Sequence, residues 1–256
     1  MGRLDGKSAI VTGAAGGIGA ATARKLAREG ASVALVDRDA DAGQRLAQEI
    51  GGGGGRAVAV EADVALREDH ERIARETLAH FGRIDVLHAN AAVQVMGGLA
   101  ATSARQWQDL YEVNLRGVAW GVEACLPAMR AAGEGAIVIT ASLLGIVGDP
   151  DMPAYGAMKG GLRALCRSLA AAHGPEQIRV NTICPGDVET PMLADFFAHQ
   201  PDPEAARRAI EERYPLRRFA SPRDVANVVA FLASDEASYL TGIDIVVDGG
   251  LLARIY

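Results

Sequence analysis

The sequence predicts a single doubly wound α/β domain over residues 1–256, an approximately seven-stranded parallel sheet with helices on both faces. Short continuous apolar runs alternate with helix-spaced stretches along the whole chain. A glycine-rich turn follows the first run, and no linker or shift in composition divides the sequence.

"SAIVTG" (8–13) reads as the first strand, and 19–30 as a helix closed by Gly30. "SVALVD" (32–37) is the second strand, 39–50 a helix, and "GGGGG" (51–55) a surface turn. Strands follow at 56–63, 84–90, 135–142, 178–186 and 242–250, and helices at 66–81, 153–173 and 221–234. One long helical region spans 103–132.

A net charge of -6 argues against a nucleic-acid or anionic-membrane surface. No secretory h-region opens the chain, and no apolar run reaches the length of a membrane span. Three cysteines, Cys125, Cys166 and Cys184, lack metal-site spacing and read as buried thiols, which points to a cytoplasmic protein without a metal.

"TGAAGGIG" (12–19) lies at the first strand-to-helix turn. Gly13, Gly17 and Gly19 permit a tight turn, approach to a pyrophosphate and close helix–strand packing, with Ile18 inside the loop. The helix N-terminus offers N–H groups and a positive dipole end. Asp37 closes the second strand, where a carboxylate accepts both ribose hydroxyls and repels a 2′-phosphate. The expected cofactor is therefore NAD, while Arg38 could swing onto a 2′-phosphate and leaves NADP open. Asp63 and Val64 end the third strand beside the expected adenine, unless Asp63 only caps a helix. Asn90 and Ala91 end the fourth, where the amide can tie strand ends together.

Ser142 stands at the end of the fifth strand, thirteen residues before Tyr155, and Lys159 follows Tyr155 by four. Positions i and i+4 share a helix face, so both side chains can enter one cleft. A phenol titrates near pH 10; a neighbouring ammonium and a cationic nicotinamide favour phenolate and lower that value. Tyr155 then exchanges the proton of an alcohol as hydride leaves its carbon, and Ser142 holds the substrate oxygen.

From "TGAAGGIG" through "NAA", Ser142, "YGAMK" and "PGDVETP" to "TGIDIVVDGG", the chain resembles the short-chain dehydrogenase/reductase family. The resemblance implies a Rossmann sheet, the Ser142/Tyr155/Lys159 mechanism, and Lys159 on the nicotinamide ribose. It also implies that Asn114 helps hold a relay water near Lys159. Pro185, Gly186, Val188 and Thr190 are implied to lie against the nicotinamide. Members are usually homodimers or homotetramers, packed through 103–132, 153–173 and the last strand. Ala92, Met158 and Asp187 depart from the commonest pattern, Met158 being expected to alter packing beneath the cofactor.

Leu144 and its neighbours suggest an apolar substrate wall, while Asp187 and Asp149 suggest hydroxyls or a cationic group on the substrate. A lid is expected at about 191–215. The expected substrate is a small secondary alcohol, cyclic diol or polyol. An NADPH-dependent 3-oxoacyl-thioester reductase and a non-catalytic dinucleotide sensor are the competing functions.

Overall fold

In the computed structural model, which describes residues 2–254, seven parallel strands form one sheet. They are β1 (Ser8–Thr12), β2 (Ser32–Asp37), β3 (Arg56–Glu61), β4 (Val86–Ala89), β5 (Gly135–Thr140), β6 (Ile178–Pro185) and β7 (Asp244–Val247). Their spatial order is β3-β2-β1-β4-β5-β6-β7. The order reverses between β1 and β4, which opens a crevice beyond their carboxyl ends. The register aligns Val11 with His88 of β4, and His88 with Val138 of β5.

The central strands are buried on both faces, which explains their unbroken apolar runs. One core packs α3 (Arg67–Phe81), α5 (Gly117–Ala132) and α6 (Pro153–His173) against the sheet. The opposite core is closed by α1 (Gly17–Arg28), α2 (Ala40–Gly52) and α9 (Pro222–Ala233). The cysteines are buried free thiols, and burial pushes Cys125 and Cys166 up to about 12. No helix among the described residues is long and apolar enough to cross a membrane.

Several boundaries differ from the sequence reading. The first helix starts at Gly17, inside the glycine turn, and α2 runs on through Gly52 because a surface helix tolerates a few glycines after Ile50 docks. The strand expected at 242–250 shortens to β7, since Asp248 turns the chain by accepting from Gly250 N and Leu252 N. The 103–132 helix is interrupted: α4 (Ala104–Tyr111) passes into a π-turn, Glu112–Arg116, before α5. The 191–215 segment contains α7 (Pro191–Ala198) and α8 (Pro203–Glu211), both capped by side-chain oxygens.

Candidate active site

The glycine turn is built by steric exclusion. Gly13 has φ +67°, a left-handed conformation, and a Cβ there would lie 3.0 Å from Ala91 Cα. A Cβ at Gly19 would collide with the Gly13 carbonyl oxygen. The α1 N-cap is Gly16, with no side-chain cap and no acidic residue in the first turn. Its N–H groups and dipole thus remain available to an anion, and the absent Cβ atoms leave room for a pyrophosphate. The residues present fit a dinucleotide.

Beyond this turn lies an open cleft lined by Gly13, Asp37, Arg38, Asp63, Val64 and Ala91. Asp37 accepts from Ala15 N at 2.9 Å, bracing the glycine turn, and also from Asp39 N. Arg38 is exposed. Asp63 does not cap α3, whose N-cap is Leu66; it accepts from Ala65 N at 2.9 Å in the turn before the helix, and it lines the cleft.

Asn90 ties the strand ends together. Its Nδ2 donates to the Thr12 carbonyl at 3.0 Å, and the N–H groups of Asn90 and Ala91 donate to Thr12 Oγ1. Thr140 Oγ1 donates to Asn90 Oδ1 at 3.3 Å, and His88 Nε2 lies 2.9 Å from that hydroxyl. The Thr140 carbonyl accepts from Lys159 Nζ at 2.8 Å. A polar path therefore joins the glycine turn, β4, β5 and Lys159, through two residues, His88 and Thr140, that the sequence reading passed over. Both sat inside apolar runs, with no local signal to mark them.

Tyr155 and Lys159 enter the same interior from α6, and both are buried. Lys159 Nζ is 5.5 Å from the Tyr155 ring centroid. Tyr155 lies near enough to the Ser142 side chain to feel its hydroxyl, and Ser142 Oγ accepts from Leu144 N. Burial pushes the phenol up to about 12, against the opposing pull of Ser142, and brings Lys159 down to about 8. In the protein alone, where only the ammonium and not the cationic nicotinamide acts, the phenol stays above its ordinary value. Lys159 is spent on the Thr140 carbonyl, and desolvation of the phenol wins.

Asn114 is fully buried in the π-turn. Its Oδ1 accepts from Val93 N and its Nδ2 donates to Val93 O, both at 2.8 Å. The amide clamps the chain after Asn90, with one N–H and one lone pair still uncommitted.

Pro185 ends β6, Gly186 follows, and Val188 packs in the same apolar cluster as Ile18. Thr190 caps α7, and its Cγ2 would lie 3.1 Å from a Cβ on Gly17. The structure thus brings the 185–190 stretch against the glycine turn. Leu144 and Met158 pack with Tyr155, Leu110 and Trp107. Met158 belongs to the apolar wall between α4 and α6, on the Tyr155 and Leu144 side. Asp187 is bonded to Tyr214, a partner 27 residues away that no local pattern announces.

Comparison with known proteins agrees with this geometry. The family profile described as Enoyl-(Acyl carrier protein) reductase matches residues 13–252. The oxidoreductase UcpA of Salmonella typhimurium is 42% identical over 98% of this chain and 96% of its own length. A cis-4-hydroxycyclohexanecarboxylate dehydrogenase of Sinomonas cyclohexanicum is 40% identical over 96% of each chain. A cyclopentanol dehydrogenase of Comamonas testosteroni is 39% identical over 99% of this chain and 100% of its own. Among solved structures, a Burkholderia xenovorans chain assigned as a short-chain dehydrogenase/reductase superposes with TM-score 0.96 at 37% identity, covering 100% of both chains. A Beutenbergia cavernae chain assigned as an NAD(P)-dependent gluconate 5-dehydrogenase, with bound NADP at low occupancy, gives 0.92 at 38% identity over 98% of both. On the profile that spans nearly the whole chain and on these full-length relatives, the chain belongs to the short-chain dehydrogenase/reductase family of oxidoreductases.

Proposed function

We propose that the protein is an NAD-linked dehydrogenase of a small secondary alcohol, cyclic diol or polyol. The observation that carries this reading is the placement of buried Tyr155 beside Ser142 at the end of β5, with Lys159 one helical turn along α6. A bound nicotinamide cofactor would supply the hydride acceptor. Gly13, Gly17, Ile18 and Gly19 would hold its pyrophosphate, Asp37 its adenosine ribose, Asp63 and Val64 its adenine, and Asn90 and Ala91 the strand ends beneath it. Pro185, Gly186, Val188 and Thr190 would flank the nicotinamide.

Ser142 orients the substrate oxygen, and Tyr155 takes its proton during oxidation or returns it during reduction. A phenol held near 12 is a poor base, so the added positive charge of oxidised nicotinamide is needed to bring it into range. Lys159 contributes its ammonium to that field and to the ribose hydroxyls. A carboxylate at Asp37 favours NAD over NADP, in line with its half-buried place on the cleft. The cyclic-alcohol dehydrogenases among the relatives support the substrate class.

Replacing Tyr155 by Phe tests the mechanism. Hydride transfer should fall by roughly 10²–10⁴-fold while NAD binding, followed by calorimetry, persists. Undiminished turnover would refute the assignment. A panel of cyclic alcohols, polyols and 3-oxoacyl thioesters, run with NAD(H) and NADP(H) in parallel, tests substrate class. The description of the matching profile gives the thioester reductase its place in that panel, and efficient NADPH-linked thioester reduction would reverse the preference.

A further inference from the structure

Tyr214 ends the 191–215 segment, buried to 1% exposure with its ring edge-on to Phe219. Its hydroxyl makes a reciprocal pair with one residue. It accepts from Asp187 N at 2.8 Å and donates to Asp187 Oδ2 at 2.8 Å. The residue before Asp187 has to be small for this to happen, because a Cβ on Gly186 would stand 2.9 Å from the Tyr214 oxygen. The Asp187 carbonyl is also held, by Ala220 N at 3.0 Å. Asp187 is thus fixed at backbone and side chain, while its second oxygen, Oδ1, has no hydrogen-bond partner among the described residues.

This carboxylate sits one residue past Gly186, whose Cβ direction points to Leu143 Cδ1 at 3.3 Å, and Leu143 adjoins Ser142. Arg213 and Asp149 act on it in opposite senses. A partly desolvated carboxylate with one oxygen braced and the other unpaired is an acceptor set in advance of its donor.

We propose that Asp187, braced by Tyr214, is a specificity-determining residue that accepts a hydrogen bond from a second hydroxyl of the substrate. The protein then favours a cyclic diol over the corresponding mono-alcohol. The inference rests on the oxidoreductase reading above. Selectivity arises because a second hydroxyl supplies the donor that Oδ1 lacks within the protein, and a site built for a hydroxyl discriminates against the analogue lacking it.

The experiment compares cyclohexanol with its 1,2-, 1,3- and 1,4-diols, using NAD and the full-length protein. At least one diol should exceed cyclohexanol in kcat/KM by ~10- to 100-fold. Asp187→Ala should bring that ratio close to unity. Asp187→Asn, which keeps an acceptor oxygen, should retain part of it, and Tyr214→Phe should raise KM for the diol more than it lowers kcat. In a Tyr155→Phe background with NAD bound, calorimetry should register the preferred diol and lose it when Asp187→Ala is added. An unchanged diol ratio in Asp187→Ala, or an equal loss on both substrates, would overturn the inference and make Asp187 a brace for the lid. Cyclohexanol oxidation with no diol preference in the unaltered protein would refute only this inference. Turnover of none of the four alcohols would remove the alcohol-dehydrogenase reading with it.

Discussion

His88 Nε2 lies 2.9 Å from Thr140 Oγ1, inside the sheet and out of reach of solvent. Thr140 gives its own proton to Asn90 Oδ1, so His88 must be the donor and carries its hydrogen on Nε2. Nδ1 is then a buried lone pair without a partner. Burial holds the ring neutral, bringing it down to about 3.

The sign of the resulting pH dependence follows from linkage. Between about pH 6.5 and 3 the unfolded chain binds a proton on this residue that the native chain refuses, so stability falls on acidification through that window. His88→Val should flatten the decline of stability between pH 6 and 4, measured by urea unfolding at stepped pH. Parallel slopes for both proteins would show that His88 does not titrate on unfolding.

Lys159 gives a prediction of the same sign at higher pH. Its pKa is about 8 in the fold against an ordinary 10.5, so below pH 8 the native state bears the full cost of a buried ammonium. That cost fades as pH rises from 8 to 10.5. Lys159→Met should therefore raise Tm at pH 7 by roughly 2–6 °C, with the gain shrinking above pH 10, while activity is lost. A lower Tm at pH 7 would mean that the Thr140 hydrogen bond outweighs desolvation.

Asp37 reaches both the cleft and the Ala15 N–H. Replacing it by Ala removes a like-charge clash with a 2′-phosphate, and the kcat/KM preference for NAD over NADP should fall by about 100-fold. NAD affinity itself should weaken as the loop loses its brace. Parallel assays with both cofactors check this, and an unaltered ratio would shift the discrimination to Arg38.

Gly19→Ala places a methyl against the Gly13 carbonyl and 2.9 Å from Asn90 Nδ2. Because both neighbours belong to the turn, dinucleotide binding should fall below detection in calorimetry while the sheet persists by circular dichroism. Retained affinity would mean that the turn relaxes without cost.

The layers, the glycine turn and the Ser142/Tyr155/Lys159 set were legible because each rests on spacing within one element or at a strand end. Thr140, His88 and Tyr214 were not. Two are polar residues inside apolar strands, where a periodicity reading registers only burial, and Tyr214 acquires meaning through Asp187 across a loop. For Tyr155, type and spacing placed the side chain beside Ser142 and Lys159, while its electrostatics in the protein alone were not legible. The competition between desolvation and a nearby charge depends on where the Lys159 ammonium points. The Glu112–Arg116 π-turn was equally invisible, since one surplus residue hardly disturbs an apolar stripe over 103–132.

That surplus residue is a phase shifter. A helix advances about 100° per residue, so α4 and α5 present faces that one continuous α-helix could not present together. Leu110 and Trp107 reach the Tyr155 cluster on one side of the offset, while Val118 and Val122 enter the sheet core on the other. Asn114 stands at the point of slip, with its amide closed on Val93. Deleting one residue there would heal the helix and turn α4 away from Tyr155, trading local regularity for the shape of the substrate wall.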